Sequence, residues 1–324
     1  MAMPRGAAVF YPGSNDMRRR NGVRLALSTG AAGLLMTGCA NMAGAAHVAS
    51  EGDARQVLIA SIDAVRQGNY AFSVEGNKTY SGVVHLPQSA LIEHVDPGQP
   101  RATTLNIGDR RYVKYRMYGE KAPSVRAEIE LALKKGMIEA EDIPAARARL
   151  RAMDAFDGKR WVHVDPARMR KLEPRVLDPG PTVQHADATP LTALVEAVTT
   201  AKQNGNTIAG ALDASKVDVT EDDFNGDPFG VDMGDKGGTV PFTAELDEEG
   251  RLTRFTVDVP PVPQSTEASS DPTGAKRDIL ETPEFTIVIT IKSPGAAQVQ
   301  KAPSAAAIIE LAGDLYPQIP ASVD

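Results

Sequence analysis

The stretch "YAFSVEGNKTYSGVVHLPQSALIEHV", residues 70–95, decides the fold. Tyr70, Phe72 and Val74 alternate with small or polar neighbours, so they share one face of a strand. The runs "YSGVVHLP" and "SALIEHV" follow at once, and "ATTLNI" and "RRYVKYRMY" continue the series with "IGDR" as the turn signal between them. Strands joined this closely pair antiparallel, because a parallel neighbour needs a crossover of about a dozen residues or more. The segment reads as an antiparallel meander.

Working outward, the pattern changes period on both sides. Upstream, Leu58, Ile62 and Val65 recur at i, i+4 and i+7, Ser50 with Asp53 forms a capping box, and Gly68 ends the pattern. An amphipathic helix is expected over 51–67. Downstream, residues 122–155 form a helical insertion. Val125, Ile129, Leu133 and Met137 keep one face, and "DIPAARARLRAM" makes a second helix opened by Asp142 with an early Pro144. Arg147, Arg149 and Arg151 on it read as a solvated face. The meander resumes at "AFDGKRWVHVDPARM", where Asp157-Gly158 is a tight-turn pair before the strand with the only Trp, Trp161.

Thr189-Pro190 places N-cap and N1 residues in their preferred order, so a helix is expected there with Leu191, Leu194, Val195 and Val198 as its apolar stripe and Gly205 as its stop. In the last third, "TVPFTAEL" and "LTRFTVDVP" flank the turn "DEEG", and "EFTIVITIK" puts Phe285, Ile287, Ile289 and Ile291 on one face. Between them "PPVPQSTEASSDPTGAKRD" is a polar loop without periodicity. A short helix from Ser304, with Ile308, Ile309, Ala312 and Leu315, is expected to end the chain. There is no fixed-period repeat. Hairpins in two blocks, separated by amphipathic helices, imply an α+β fold: a strongly curved antiparallel sheet, or half-barrel, with helices on its concave face and a convex face in water.

The amino-terminal region has a different character. "MRRRNGVRLALSTGAAGLLMTGCA", residues 17–40, holds the only cysteine of the 324 residues. Arg18, Arg19, Arg20 and Arg24 precede an apolar run too short to span a bilayer, which is the layout of a secretory signal. Met36-Thr37-Gly38-Cys39 resembles a bacterial lipobox, with Met where Leu is usual. A thiolate is the strongest common side-chain nucleophile and can accept a diacylglyceryl group as a thioether, and its small neighbours leave it accessible. Residues 1–38 are therefore read as a signal peptide, with either Met17 as the true start or a long n-region that is tolerated, Cys39 as the lipidation site and residues 39–50 as a tether. The single domain of residues 51–324 is then expected on the extracytoplasmic face of the cell membrane, held by acyl chains. The alternative is an ordinary signal peptide in which Cys39 is incidental.

Composition narrows the partners. Residues 1–38 hold five Arg and one Asp, leaving 30 basic against 41 acidic residues and a net charge of -11. Such a chain lacks the positive field that nucleic-acid binding requires. With no second cysteine there is no disulfide framework, so stability rests on an apolar core.

The anchored Cys39, the first helix, "GDRRYVKYRMYG", "DGKRWVHVDPARM", the mid-chain helix and the hairpin "TVPFTAELDEEGRLTRFTVDV" together resemble the actinobacterial lipoproteins of the LppX and LprG kind, relatives in fold of the carriers LolA and LolB. The likeness spans most of residues 51–292. The insertion at 122–155 and the loop at 260–280 depart from it. The resemblance implies an apolar cavity between sheet and helices that binds or shuttles a lipid or lipoglycan. Its candidate lining is Leu191, Leu194, Val195, Val198, Phe285, Ile287, Ile289 and Ile291. The same residues could instead close into a filled core, in which case the domain is an interaction or sensory module for a membrane-surface protein, using the insertion and the polar loop.

Catalytic signals are missing from the sequence. None of His47, His85, His94, His163 and His185 lies in an H-x-x-H or H-E-x-x-H frame, and there is no G-x-S-x-G elbow or phosphate loop. No enzyme activity and no cofactor are expected. His85 and His94 fall on adjacent strands and read as exposed strand positions. In the acidic run of residues 218–238, Asp223, Asn225 and Asp227 match the first positions of a calcium loop. Pro228 stands where the turn Gly is needed and Gly234 where a bidentate Glu is needed, so a metal site is not expected.

Overall fold

A computed structural model describes residues 51–76, 78–95, 101–169, 180–217, 238–263 and 281–318. The lipobox and tether, the calcium-like run through residue 237 and residues 264–280 of the polar loop lie outside the described residues.

The first helical segment is two pieces, α1 (Glu51–Ser61) and α2 (Asp63–Arg66). The break falls at Ile62, next to Ser61, whose hydroxyl donates to the Leu58 carbonyl at 2.7 Å. Such a bond back to the preceding turn competes with the helix's own ladder. The meander then runs as β1 (Asn69–Glu75), β2 (Tyr80–His85), β3 (Ser89–His94), β4 (Ala102–Ile107) and β5 (Arg110–Lys114). The insertion supplies α3 (Ala122–Lys134) and α4 (Ile143–Ala155), followed by β6 (Trp161–Val164) and a single turn, α5 (Pro166–Met169).

The helix expected to reach Gly205 is the first correction. Its helical part, α6 (Leu191–Glu196), is six residues long, and Val198 begins β7 (Val198–Asn204), which pairs with β8 (Thr207–Asp213). Val198, Thr199 and Thr200 are β-branched, and Gly205-Asn206 is a two-residue hairpin turn with Gly205 at φ +59°. Sheet pairing therefore overrides the helical stripe at its fourth member. The late hairpin is β9 (Thr239–Leu246) with β10 (Leu252–Val259), and β13 (Phe285–Lys292) follows a two-stranded pair of β11 (Val262–Pro263) with β12 (Glu281–Thr282). The expected last helix is the second correction. Ile308 and Ile309 lie in β14 (Ile308–Glu310), which pairs parallel with β6, between short 3-10 turns at Ala305–Ala307 and Gly313–Gln318.

Twelve of these strands form one curved, unclosed sheet in the order β14-β6-β5-β4-β3-β2-β1-β13-β10-β9-β8-β7, antiparallel except at β14. The α+β class read from the sequence is the class observed. Register places Phe72 opposite Ile291 and Val74 opposite Ile289, so the inward faces of β1 and β13 meet. The convex face is not wholly in water, a third correction. Leu105 and Tyr112 point outward yet are buried. The chain from Ser293 to Ala307 must travel from β13 to β14, past six intervening strands, and it binds the outer side on the way. Asn69 holds Gly295 and Ala297, His85 Nδ1 lies 2.9 Å from the Ala297 carbonyl oxygen, and the Gln300 amide donates to Ser89 Oγ at 2.8 Å.

The concave side carries two separate apolar clusters. In the first, Leu58 and Ile62 with Leu191, Leu194 and Val195 of α6 pack on the inward residues of β1, β2, β7–β10 and β13. In the second, Ala148, Ala152, Met153 and Ala155 of α4 pack with Leu315 and Tyr316 on Val113, Tyr115, Val162 and Val164. Alanines at i, i+4 and i+7 give α4 a flat face that lies close to the sheet. The insertion thus supplies one wall of the second, smaller cluster. On the face expected for α3, Val125 and Ile129 pack against this cluster but Met137 is exposed, and α3 has no buried residue.

Candidate functional site

Seven of the eight candidate lining residues are buried members of the first apolar cluster, and the eighth, Phe285, packs against it. Leu191, Leu194 and Val195 come from α6, Val198 from the start of β7, and Ile287, Ile289 and Ile291 from the inward face of β13, with Phe285 packed at the margin. Leu191, Leu194, Val195 and Ile289 have no exposed surface. None of the eight lines either cleft described below.

A polar knot fixes the start of α6. Asp187 Oδ1 accepts hydrogen bonds from the Thr189 amide at 2.7 Å and the Thr189 hydroxyl at 2.6 Å, and its Oδ2 accepts from the Thr192 amide at 2.7 Å. Thr189 Oγ1 accepts from the Leu191 amide at 3.1 Å. The helix starts one residue later than read, with Pro190 and not Thr189 at the N-cap position, and Thr189 and Asp187 from before it satisfy the first-turn amides of Leu191 and Thr192. Beside the knot, the Tyr70 hydroxyl donates to the Ala186 carbonyl at 3.1 Å and accepts from the Ala188 amide at 2.6 Å. Burial pushes the Asp187 carboxyl above the usual range, against the pull of its hydrogen bonds. Burial, then the nearby Asp187 charge, hold the Tyr70 hydroxyl well above its ordinary value, so it stays a neutral donor and acceptor.

At the second cluster a cleft of about 790 Å³ opens between the insertion and the turn after α4. Its apolar side is Met117, Ala122, Pro123, Met153 and Phe156, and its rim carries Arg116, Arg126, Lys159 and Arg160 with Asp154 and Asp157. Arg126 is paired with Asp154 and, at 3.4 Å, with Glu130. A smaller cleft of about 460 Å³ lies between α4 and the last 3-10 turn, lined by Arg147, Arg151 and Asp314 among others. The Asp157-Gly158 turn is legible in the sequence, but the gathering of Arg116 with Lys159 and Arg160 depends on the pairing of Arg116 with Asp157 and has no local signal.

The remaining candidates separate. His85 faces outward onto Ala297, whereas His94 is on the inward face, stacked on Tyr80 with ring centroids 5.4 Å apart; neither is fully exposed. His163 bonds Glu310 across the β6–β14 pair at 2.6 Å. Arg147, Arg149 and Arg151 are all exposed, as expected, but two have partners: Arg149 donates to the Tyr118 hydroxyl at 2.6 Å, and Arg151 pairs with Asp314. No group of three or more potential metal-ligating side chains occurs among the described residues. No helix there is long and apolar enough to cross a membrane.

No family model matches the chain, and no curated protein matches it. Among solved structures it is similar to LprF from Mycobacterium bovis, at 15% identity and a TM-score of 0.37, over 77% of this chain and 97% of that one.

Proposed function

We propose that the chain is an extracytoplasmic lipoprotein, anchored through Cys39, that binds a hydrophobic acyl ligand between α6 and the concave face of the sheet and catalyses no reaction. The observation that carries this reading is the place of α6. A six-residue helix, fixed at its first turn by Asp187, buries Leu191, Leu194 and Val195 in the same apolar cluster as Ile287, Ile289 and Ile291 of the sheet. So short a helix makes few main-chain bonds of its own and lifts from the sheet by local opening at less than the global unfolding free energy. The apolar wall it exposes matches an acyl chain or the lipid part of a lipoglycan.

Native mass spectrometry of the full-length protein extracted from membranes tests the reading. An acyl lipid retained non-covalently, in addition to any covalent anchor, is the expected result. A bare polypeptide overturns it and leaves a second reading, recognition of a membrane-surface protein. That reading is favoured by α3, which buries no residue and exposes Leu131 and, just beyond its end, Met137.

A further inference from the structure

The larger cleft carries chemistry that an acyl site does not need. Arg116 is bridged antiparallel to Asp157, and the Met117 amide donates to the Phe156 carbonyl at 2.9 Å. Asp157 Oδ1 then accepts from the amides of Lys159 at 2.8 Å and Arg160 at 3.4 Å. Gly158 closes this turn at φ +78°, where a Cβ would stand 3.1 Å from the Cβ of Arg116. The turn is therefore seated on Arg116, and three cationic side chains from two distant segments converge on one rim. Among the described residues no carboxylate pairs with Arg116, Lys159 or Arg160, whereas Arg126 at the same rim has two. Asp157 Oδ1 is held by the backbone donors of its own turn and Asp154 is paired with Arg126, so four cations stand against two carboxylates on this rim. This positive rim stands in a chain of net charge -7. The excess of like charge is repulsive, and a bound anion relieves it.

We infer that this cleft binds the phosphate of an anionic ester through Arg116, Lys159 and Arg160, with the organic part of the ester against Ala122, Pro123 and Met153. Phosphate suits the rim better than a carboxylate. It offers three or more acceptor oxygens to three donors, and guanidinium forks bind it in bidentate fashion. The site belongs to the second cluster and stands apart from the acyl site under α6, so either can fail alone.

Isothermal titration of the full-length chain with glycerol 3-phosphate, and separately with monomeric dihexanoyl-phosphatidylglycerol against dihexanoyl-phosphatidylcholine, tests the inference. Binding of glycerol 3-phosphate identifies a soluble ester as the source. Binding of the phosphatidylglycerol probe alone identifies a lipid headgroup. Either supports the site if Arg116→Gln, Lys159→Gln and Arg160→Gln each weaken Kd about tenfold, the order expected for one charge-assisted hydrogen bond. Arg147→Gln, exposed at the smaller cleft, should leave Kd unchanged. All four positions are at the surface, and circular dichroism verifies that the variants fold. The inference is overturned if the wild type binds neither phosphate probe, if the three variants bind like wild type, if Arg147→Gln weakens binding equally, or if the phosphatidylcholine probe binds as well as its anionic counterpart.

Discussion

Leu194 is where packing and function can be separated by one pair of substitutions. Its side chain has no exposed surface and sits in the first cluster between α6 and the sheet. Leu194→Ala removes about three methylene equivalents, worth about 0.8 kcal/mol each in transfer, and leaves a cavity, so a total of about 3–4 kcal/mol is expected. Leu194→Trp errs in the other direction and forces neighbours off their rotamers, at about 1–3 kcal/mol or more. Both losses are read from urea midpoints of the full-length protein at unchanged m. Acyl ligand at about a hundred times its Kd should return about 2.7 kcal/mol to the wild type. It should help Leu194→Ala at least as much, because an apolar void favours an apolar occupant. Leu194→Trp should gain nothing, since the indole fills the space the chain would enter. A Trp variant as stable as wild type refutes the packing argument. A Trp variant that is destabilised yet binds the acyl ligand like wild type refutes the placement of the ligand.

Two further outcomes follow from the cap and the leader. Asp187→Asn keeps one acceptor but turns an amide donor toward the Thr192 amide, and should cost about 1–3 kcal/mol at acid pH, where both side chains are neutral. Because the folded carboxyl titrates above its unfolded value of about 3.9, its contribution is fully present below that pH and is lost as pH rises through the folded value. The gap in urea midpoint between wild type and Asp187→Asn should therefore shrink across that window, and a gap independent of pH would contradict the burial argument. Cys39→Ser should abolish incorporation of radiolabelled palmitate; label retained at wild-type level would place the lipidation site elsewhere.

Strands with one buried face were legible wherever the neighbours were close in sequence. Tyr70, Phe72 and Val74 reveal their shared face by alternation alone, and "IGDR" and "DEEG" mark their own hairpins because turn chemistry is a property of a few adjacent residues. The stripe Leu191, Leu194, Val195 and Val198 misled for the same reason. Its spacing fits a helix, and only the edge offered by β8 decides that Val198 pairs in a sheet instead. Ile308 and Ile309 became a strand through β6, nearly 150 residues away, and the burial of Leu105 and Tyr112 on the outer face accompanies a return path that local periodicity cannot encode. The clearest division is at the two sites. Sequence alone marked the apolar faces of α6 and β13, each on its own, since burial leaves a periodic trace. Only tertiary structure brought Arg116 to Lys159 and Arg160, because an exposed cation has the same local pattern wherever its neighbours in space lie.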